Sequence, residues 1–197
     1  MSKQQLVETA SAMVTRGKGI LAADESEKTL QSRFDGIGLE ATQDSRRAYR
    51  DLLFTTPGLG DFISGVILYD ETLCTRSLDD VPFPDLIAQQ GIIPGAKVDT
   101  GLTDLAGFPG EQITEGLDGL RERVETYRDL GARFAKWRAV IAIGKGAPTR
   151  TCIQANAQVL ARYAAICQEA GVVPIVEPEI LMNGTHSIEE CEEATET

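Results

Sequence analysis

Five short apolar runs recur along the chain, at residues 19–23, 63–69, 91–98, 133–140 and 172–176, with helical stripes between or before them. This alternation constrains the fold more than any other feature. Continuous apolar runs read as strands buried on both faces, and helical crossovers between them imply a parallel sheet. Leu6, Thr9, Ala10, Met13 and Val14 predict an opening helix stopped near Gly17. Ala48, Tyr49, Leu52 and Leu53 predict another, ended by Thr56-Pro57-Gly58. Leu117, Leu120, Val124 and Tyr127 predict a third, with Gly131 as its C-terminal cap. Ile153, Ala157, Leu160, Ala164 and Cys167, spaced 4, 3, 4 and 3, form the cleanest stripe, closed by Gly171 and Pro174. Between the second and third runs only residues 84–90 read as helical, and residues 100–114, rich in Gly and Thr, read as an inserted loop.

Two α/β architectures fit this pattern: an open doubly wound sheet and a TIM barrel. Gly17-Lys18-Gly19 and Gly144-Lys145-Gly146 are GxG fragments that extend to neither a dinucleotide fingerprint nor a P-loop, so they read as turns. Charged residues at the ends of several strands favour the barrel, whose active sites collect there. The expected fold is a (β/α)8 TIM barrel represented by about its first five βα units, with residues 1–197 as the N-terminal part of a single domain. Ser187-Ile188-Glu189-Glu190 is a capping box, so a further short helix should follow it, with Ile188, Cys191 and Ala194 as its apolar stripe. Five strands do not close an eight-stranded barrel of about 250 residues, and the expectation is a chain that continues.

Composition narrows the function. A net charge of -11 and a pI near 4.6 argue against a nucleic-acid partner. No apolar run is long enough to span a bilayer, and the first residues lack the apolar core of a signal peptide. The four cysteines, Cys74, Cys152, Cys167 and Cys191, form no CxxC pair and read as reduced thiols of a cytoplasmic protein. His186 is the only histidine, which rules out a His-rich metal site within these residues and gives a Ser-His-Asp triad little support. No metal and no cofactor is expected.

The charged residues at the strand ends then stand out. The first run ends in Asp24-Glu25-Ser26, the third in Lys97-Val98-Asp99, and the fifth in Glu177-Pro178-Glu179. The fourth carries Lys136 and Arg138 on one face, with Trp137 opposite. A buried salt-bridge network explains such a set. A working site explains it too, since apolar residues commonly replace buried ion pairs at no cost. Lysine, arginine and carboxylate without histidine suit the gripping of phosphate. They equally suit amine chemistry on carbonyls, with carboxylates moving protons. Lys136 beside Arg138 should have its pKa lowered by the like charge, with nearby carboxylates opposing that.

Several longer motifs carry a family resemblance: "GKGILAADES", "GVILYDETL", "KVDTGL", "LGARFAKWRAV" and "AICQEAGVVPIVEPEIL". In order and spacing, from about Lys18 to Leu181, the chain resembles class I fructose-bisphosphate aldolase, a (β/α)8-barrel family. The resemblance implies cleavage of fructose 1,6-bisphosphate to dihydroxyacetone phosphate and glyceraldehyde 3-phosphate, without metal, through a lysine Schiff base. It assigns Asp24 to the substrate hydroxyl proton. Lys136 would assist formation and dehydration of the carbinolamine. Glu177 and Glu179 would be acid–base carboxylates, with Glu177 the main proton carrier. Arg138 would contact substrate oxygens and phosphate, and Lys97 the phosphate end and the proton network. Ser26 and Arg33 match positions near the other phosphate site, and Arg46 is a candidate substrate contact.

The family's imine-forming lysine lies on a sixth strand in a Leu-Lys-Pro type motif, which these residues do not contain. The stretch by itself is therefore expected to be inactive, and the full-length protein a homo-oligomer acting on a small phosphosugar. The sequence also departs from the family at Thr100, where a lysine is common, and in the residues after Ser26. A different reading is a non-catalytic phosphosugar-binding or assembly protein that keeps the scaffold and lacks the nucleophile.

Overall fold

The structure, a computed structural model, describes residues 3–197; the first two residues of the expected domain lie outside the described residues. The chain begins α1 (Lys3–Met13), β1 (Gly19–Ala23), α2 (Glu27–Asp35), α3 (Gln43–Phe54), α4 (Leu59–Phe62) and β2 (Ile63–Leu68). It continues through α5 (Asp70–Leu73), α6 (Phe83–Gln89), β3 (Ile93–Lys97), β4 (Gly101–Asp104) and β5 (Gln112–Glu115). It closes with α7 (Leu120–Asp129), β6 (Phe134–Ile141), α8 (Arg150–Glu169), β7 (Val173–Ile180) and α9 (Ile188–Glu196). Five strands form one sheet in the order β1-β2-β3-β6-β7, every pair parallel. A doubly wound sheet would reverse its strand order at a switch point. Here each strand lies beside the previous one, as in the opening half of a (β/α)8 barrel.

β6 shows how the sequence builds two layers from one strand. Ala135, Trp137 and Ala139 face outward into the main core, which includes Phe54, Phe83, Leu160 and Tyr163. The Trp137 and Tyr163 rings lie 5.4 Å apart. Phe134, Lys136 and Arg138 face the other way, because side chains alternate along a strand. Phe134 packs with Met13 of α1 and Ile67 of β2, bordered by Ile93, Val173 and Ile175, and fills the N-terminal end of the barrel interior. Its ring needs the glycines beside it. A Cβ on Gly95 would fall 2.3 Å from the Phe134 ring, and one on Gly65 would fall 3.1 Å from it. The interior is thus apolar at its N-terminal end and charged at its C-terminal end.

Several expectations change in detail. Residues 100–114 are not a plain loop: β4 and β5 pair antiparallel as a hairpin inserted after β3. The fifth parallel strand does not stop at Val176 but runs to Ile180, so Glu177 and Glu179 lie inside β7. β7 tolerates its prolines because it is an edge of the sheet. Val173 and Leu181 donate their N–H groups to Arg133 and Ile141 carbonyls, so Pro174 and Pro178 turn their missing donors toward the open edge. On α3 the expected apolar stripe is only half right. Ala48 and Leu52 are exposed, and Arg50 with Phe54 is buried. The polar α2 and the single-turn α4 and α5 carry no periodic stripe that would predict them. The capping box before α9 is present as read, with Ser187 and Glu190 bonding reciprocally. Among the described residues no helix is long and apolar enough to cross a membrane.

Candidate active site

The C-terminal ends of the parallel strands open onto a cavity of about 500 Å³. Asp24 follows β1, Lys97 ends β3, Lys136 and Arg138 come from β6, and Glu177 and Glu179 come from β7. All six line this cavity, together with Ser26 and Arg33 from the start and end of α2. Arg46 does not. Its guanidinium, on α3, is committed to Glu71, to Glu27 and to the Ala41 carbonyl.

Lys136 is only 9% exposed. Its Nζ lies 3.1 Å from Asp24 Oδ2 and 3.2 Å from Glu177 Oε2. Burial alone would push the ammonium's pKa down, but the two carboxylates outweigh it and hold the pKa above the usual lysine value. This corrects the expectation of a lowered pKa. Arg138 does not act on Lys136 as a nearby like charge, because its guanidinium is turned to Glu179. It makes a two-pronged contact there, Nη2 lying 2.9 Å from Oε1 and Nε meeting Oε2. Arg138's hydrogen bond holds the Glu179 carboxyl below the usual carboxylate range despite partial burial.

Lys97 donates to Asp99 Oδ1 at 2.5 Å. The nearly buried Asp99 carboxylate also accepts from the backbone N–H of Gly101 at 3.2 Å and of Arg138 at 3.4 Å. It therefore ties the β4–β5 hairpin and β6 to the end of β3. Ser26 caps α2: its Oγ accepts from the Thr29 N–H at 3.3 Å and lies 3.0 Å from Thr29 Oγ1. Ser26, Thr29 and Arg33 are spaced to share one face of that helix, and all three line the cavity. Glu25 reaches Arg33 with Oε1 and Arg50 Nη1 with Oε2, the latter at 2.6 Å.

The residues that sequence reasoning left without a role are Glu25, Asp99 and Arg50. The first two sat in view at strand ends, where a charge signals function or pairing equally. Arg50 gave no signal, because an arginine on an amphipathic helix reads as solvent-facing. The cavity is not simply basic. Each of the four cations lining the cavity, Arg33, Lys97, Lys136 and Arg138, has a carboxylate partner. Among the described residues no group of three or more His, Cys, Asp or Glu side chains is placed to hold a metal ion.

Fold and site together define a barrel protein of the lysine-and-carboxylate kind. A family model described as fructose-bisphosphate aldolase class-I matches residues 5–197. The chain belongs to the class I fructose-bisphosphate aldolase family. It is 62% identical over 196 residues to a probable fructose-bisphosphate aldolase class 1 of Xanthomonas campestris pv. campestris, covering 100% of this chain and 59% of that protein. It is 54% identical to the cytosolic fructose-bisphosphate aldolase 7 of Arabidopsis thaliana, covering 99% of this chain and 54% of the relative. A solved fructose-bisphosphate aldolase from Plasmodium falciparum, in complex with TRAP and a small-molecule inhibitor, superposes with a TM-score of 0.95 at 54% identity. That match covers 98% of this chain and 56% of the other. The chain thus spans a little over half the length of these relatives.

Proposed function

We propose that these residues form part of a single barrel domain whose protein, at its natural length, is a cytoplasmic, metal-independent fructose-bisphosphate aldolase. It would cleave fructose 1,6-bisphosphate to dihydroxyacetone phosphate and glyceraldehyde 3-phosphate. The observation that carries this reading is the Lys136 ammonium held between Asp24 and Glu177 inside a cavity of about 500 Å³. That volume suits a hexose bisphosphate, and family membership supplies the reaction.

In this reading a lysine of the Leu-Lys-Pro type motif, outside these 197 residues, forms an imine with the substrate ketone. The carbon–carbon bond then breaks. Its electron pair moves toward the iminium nitrogen, and the substrate hydroxyl loses its proton to become the aldehyde. Asp24 faces that hydroxyl proton. Glu177 supplies and removes protons at the imine-forming steps, since its carboxylate lies at the cavity beside the Lys136 ammonium and is not locked in a two-pronged pair as Glu179 is. Lys136 stays protonated and stabilises oxyanions beside Asp24. Glu179, which the resemblance makes a second acid–base carboxylate, is pinned to Arg138, and in this reading it instead aims the guanidinium at substrate oxygens. Lys97 serves the phosphate end. Ser26 and Arg33, on the face of α2 that lines the cavity, suit a second phosphate, helped by the helix N-terminus.

The test is turnover of fructose 1,6-bisphosphate by the protein at its natural length, with and without chelator. Cleavage unaffected by chelator is expected. Absence of cleavage, or its abolition by chelator, would remove this reading.

A further inference from the structure

Every cation at the cavity has a carboxylate partner, and a phosphate that draws one of these side chains fully to itself takes it from that partner. That departure has a cost. A carboxylate stripped of its partner in a nearly dry setting is strongly destabilised. The four pairs are not equivalent in this respect. Glu177 and Asp24 share Lys136, Glu179 has Arg138, and Asp99 has Lys97. Among the described residues, Glu25 alone of these carboxylates bonds a cation outside the cavity.

That cation is Arg50. It lies on α3, is 2% exposed, and does not line the cavity. Its Nη1 donates to Glu25 Oε2 at 2.6 Å, and its Nη2 to the Glu25 backbone carbonyl at 3.2 Å. Glu25's other oxygen faces Arg33, whose side chain is 55% exposed at the cavity rim. Arg50 is therefore the fixed partner and Arg33 the movable one. Glu25's lowered pKa agrees with a carboxylate that keeps its charge: burial pushes it up, and the Arg50 hydrogen bond leads the effects that outweigh burial.

We propose that Arg50 is a positioning residue which holds Glu25 from behind, so that Arg33 can leave Glu25 for a substrate phosphate without stranding a buried carboxylate. This rests on the reading that Arg33 contacts phosphate. Glu25 is then a resting place for the arm. With Arg50 present the arm is released readily. With Arg50 absent, Glu25 depends on Arg33 alone and competes with the phosphate.

The two halves of the Arg50–Glu25 pair should consequently act in opposite directions, which a purely structural ion pair does not do. The probes are hexitol 1,6-bisphosphate and the two hexitol monophosphates, which lack the carbonyl and cannot be cleaved. Calorimetry on the protein at its natural length gives the affinity advantage of the bisphosphate over each monophosphate. Arg33→Ala is measured first. If it leaves both advantages unchanged, the phosphate reading of Arg33 fails, and this proposal falls with it. If it lowers one, Arg50→Gln should lower the same advantage by roughly tenfold, the worth of one charge-assisted hydrogen bond. Glu25→Gln should raise it, because the arm is no longer held. An unchanged advantage in Arg50→Gln, or a fall in both variants, overturns the proposal. Should Arg50→Gln not fold, Glu25→Gln decides alone: a gain supports the proposal, and a loss or no change overturns it.

Discussion

The Lys136 ammonium sits 3.2 Å from Glu177 Oε2, although the strand register sets Ile175 opposite Lys136 and Arg138 opposite Glu177. Arg138 likewise passes over Glu177 and pairs with Glu179. Both cations of β6 thus lean one step along the strand direction, as side chains on strands do. The offset gives each cation its own carboxylate and keeps the two like charges from facing one another.

Glu177→Gln in the protein at its natural length should lower kcat by roughly 10²–10⁴-fold, the usual worth of a positioned acid–base group. The amide keeps the shape, but it can neither take up nor release a proton in the working pH range. Steady-state turnover near the wild-type value would remove Glu177 from the proton-carrying role.

Arg138→Ala should raise KM for the bisphosphate more than it lowers thermal stability. Arg138 and Glu179 are both partly exposed, and such pairs contribute only about 0–1 kcal/mol to folding. A collapsed melting temperature with an unchanged KM in the folded remainder would make the pair structural.

Glu25 gives the protein a dependence on acid. Its folded-state pKa lies below the ordinary 4.5, so its stabilising contribution is complete above that value. The contribution is lost as pH falls from there through the lowered folded value. Wild type should therefore lose stability toward urea below about pH 4.5 more steeply than Glu25→Gln. Parallel pH profiles for the two proteins would contradict this.

Gly95→Ala should destabilise the fold by ~1–3 kcal/mol, the range for forcing extra volume into a packed interior. The added methyl would fall 2.3 Å from the Phe134 ring. Phe134→Leu in the same chain should recover part of the loss, so a double-mutant cycle by urea unfolding should show coupling. Strict additivity would mean that the ring does not set this requirement.

The parallel strands were legible because each is a continuous apolar run, and the sequential barrel order followed from the charges collected at their ends. The far half of β7 was not. Glu177, Pro178 and Glu179 look like the end of a strand, yet the prolines only face an open edge and the glutamates only face the cavity. The β4–β5 hairpin hid in short, Gly- and Thr-rich segments whose pairing depends on each other rather than on local pattern. At the site, residue types and strand positions revealed which charges gather at the cavity but not which cation pairs with which carboxylate. Diagonal register and the buried Arg50 decide that, and neither leaves a trace in spacing.

The central claim is that Lys136 assists the chemistry as a protonated amine and is not the imine-forming lysine. Its raised pKa keeps it an ammonium at neutral pH, and an ammonium is no nucleophile. Borohydride trapping with dihydroxyacetone phosphate, followed by peptide mapping, tests this most directly. In the protein at its natural length the label should fall on a lysine of a Leu-Lys-Pro type motif outside these 197 residues, and these residues expressed alone should take up none. Specific labelling of Lys136 would contradict the account.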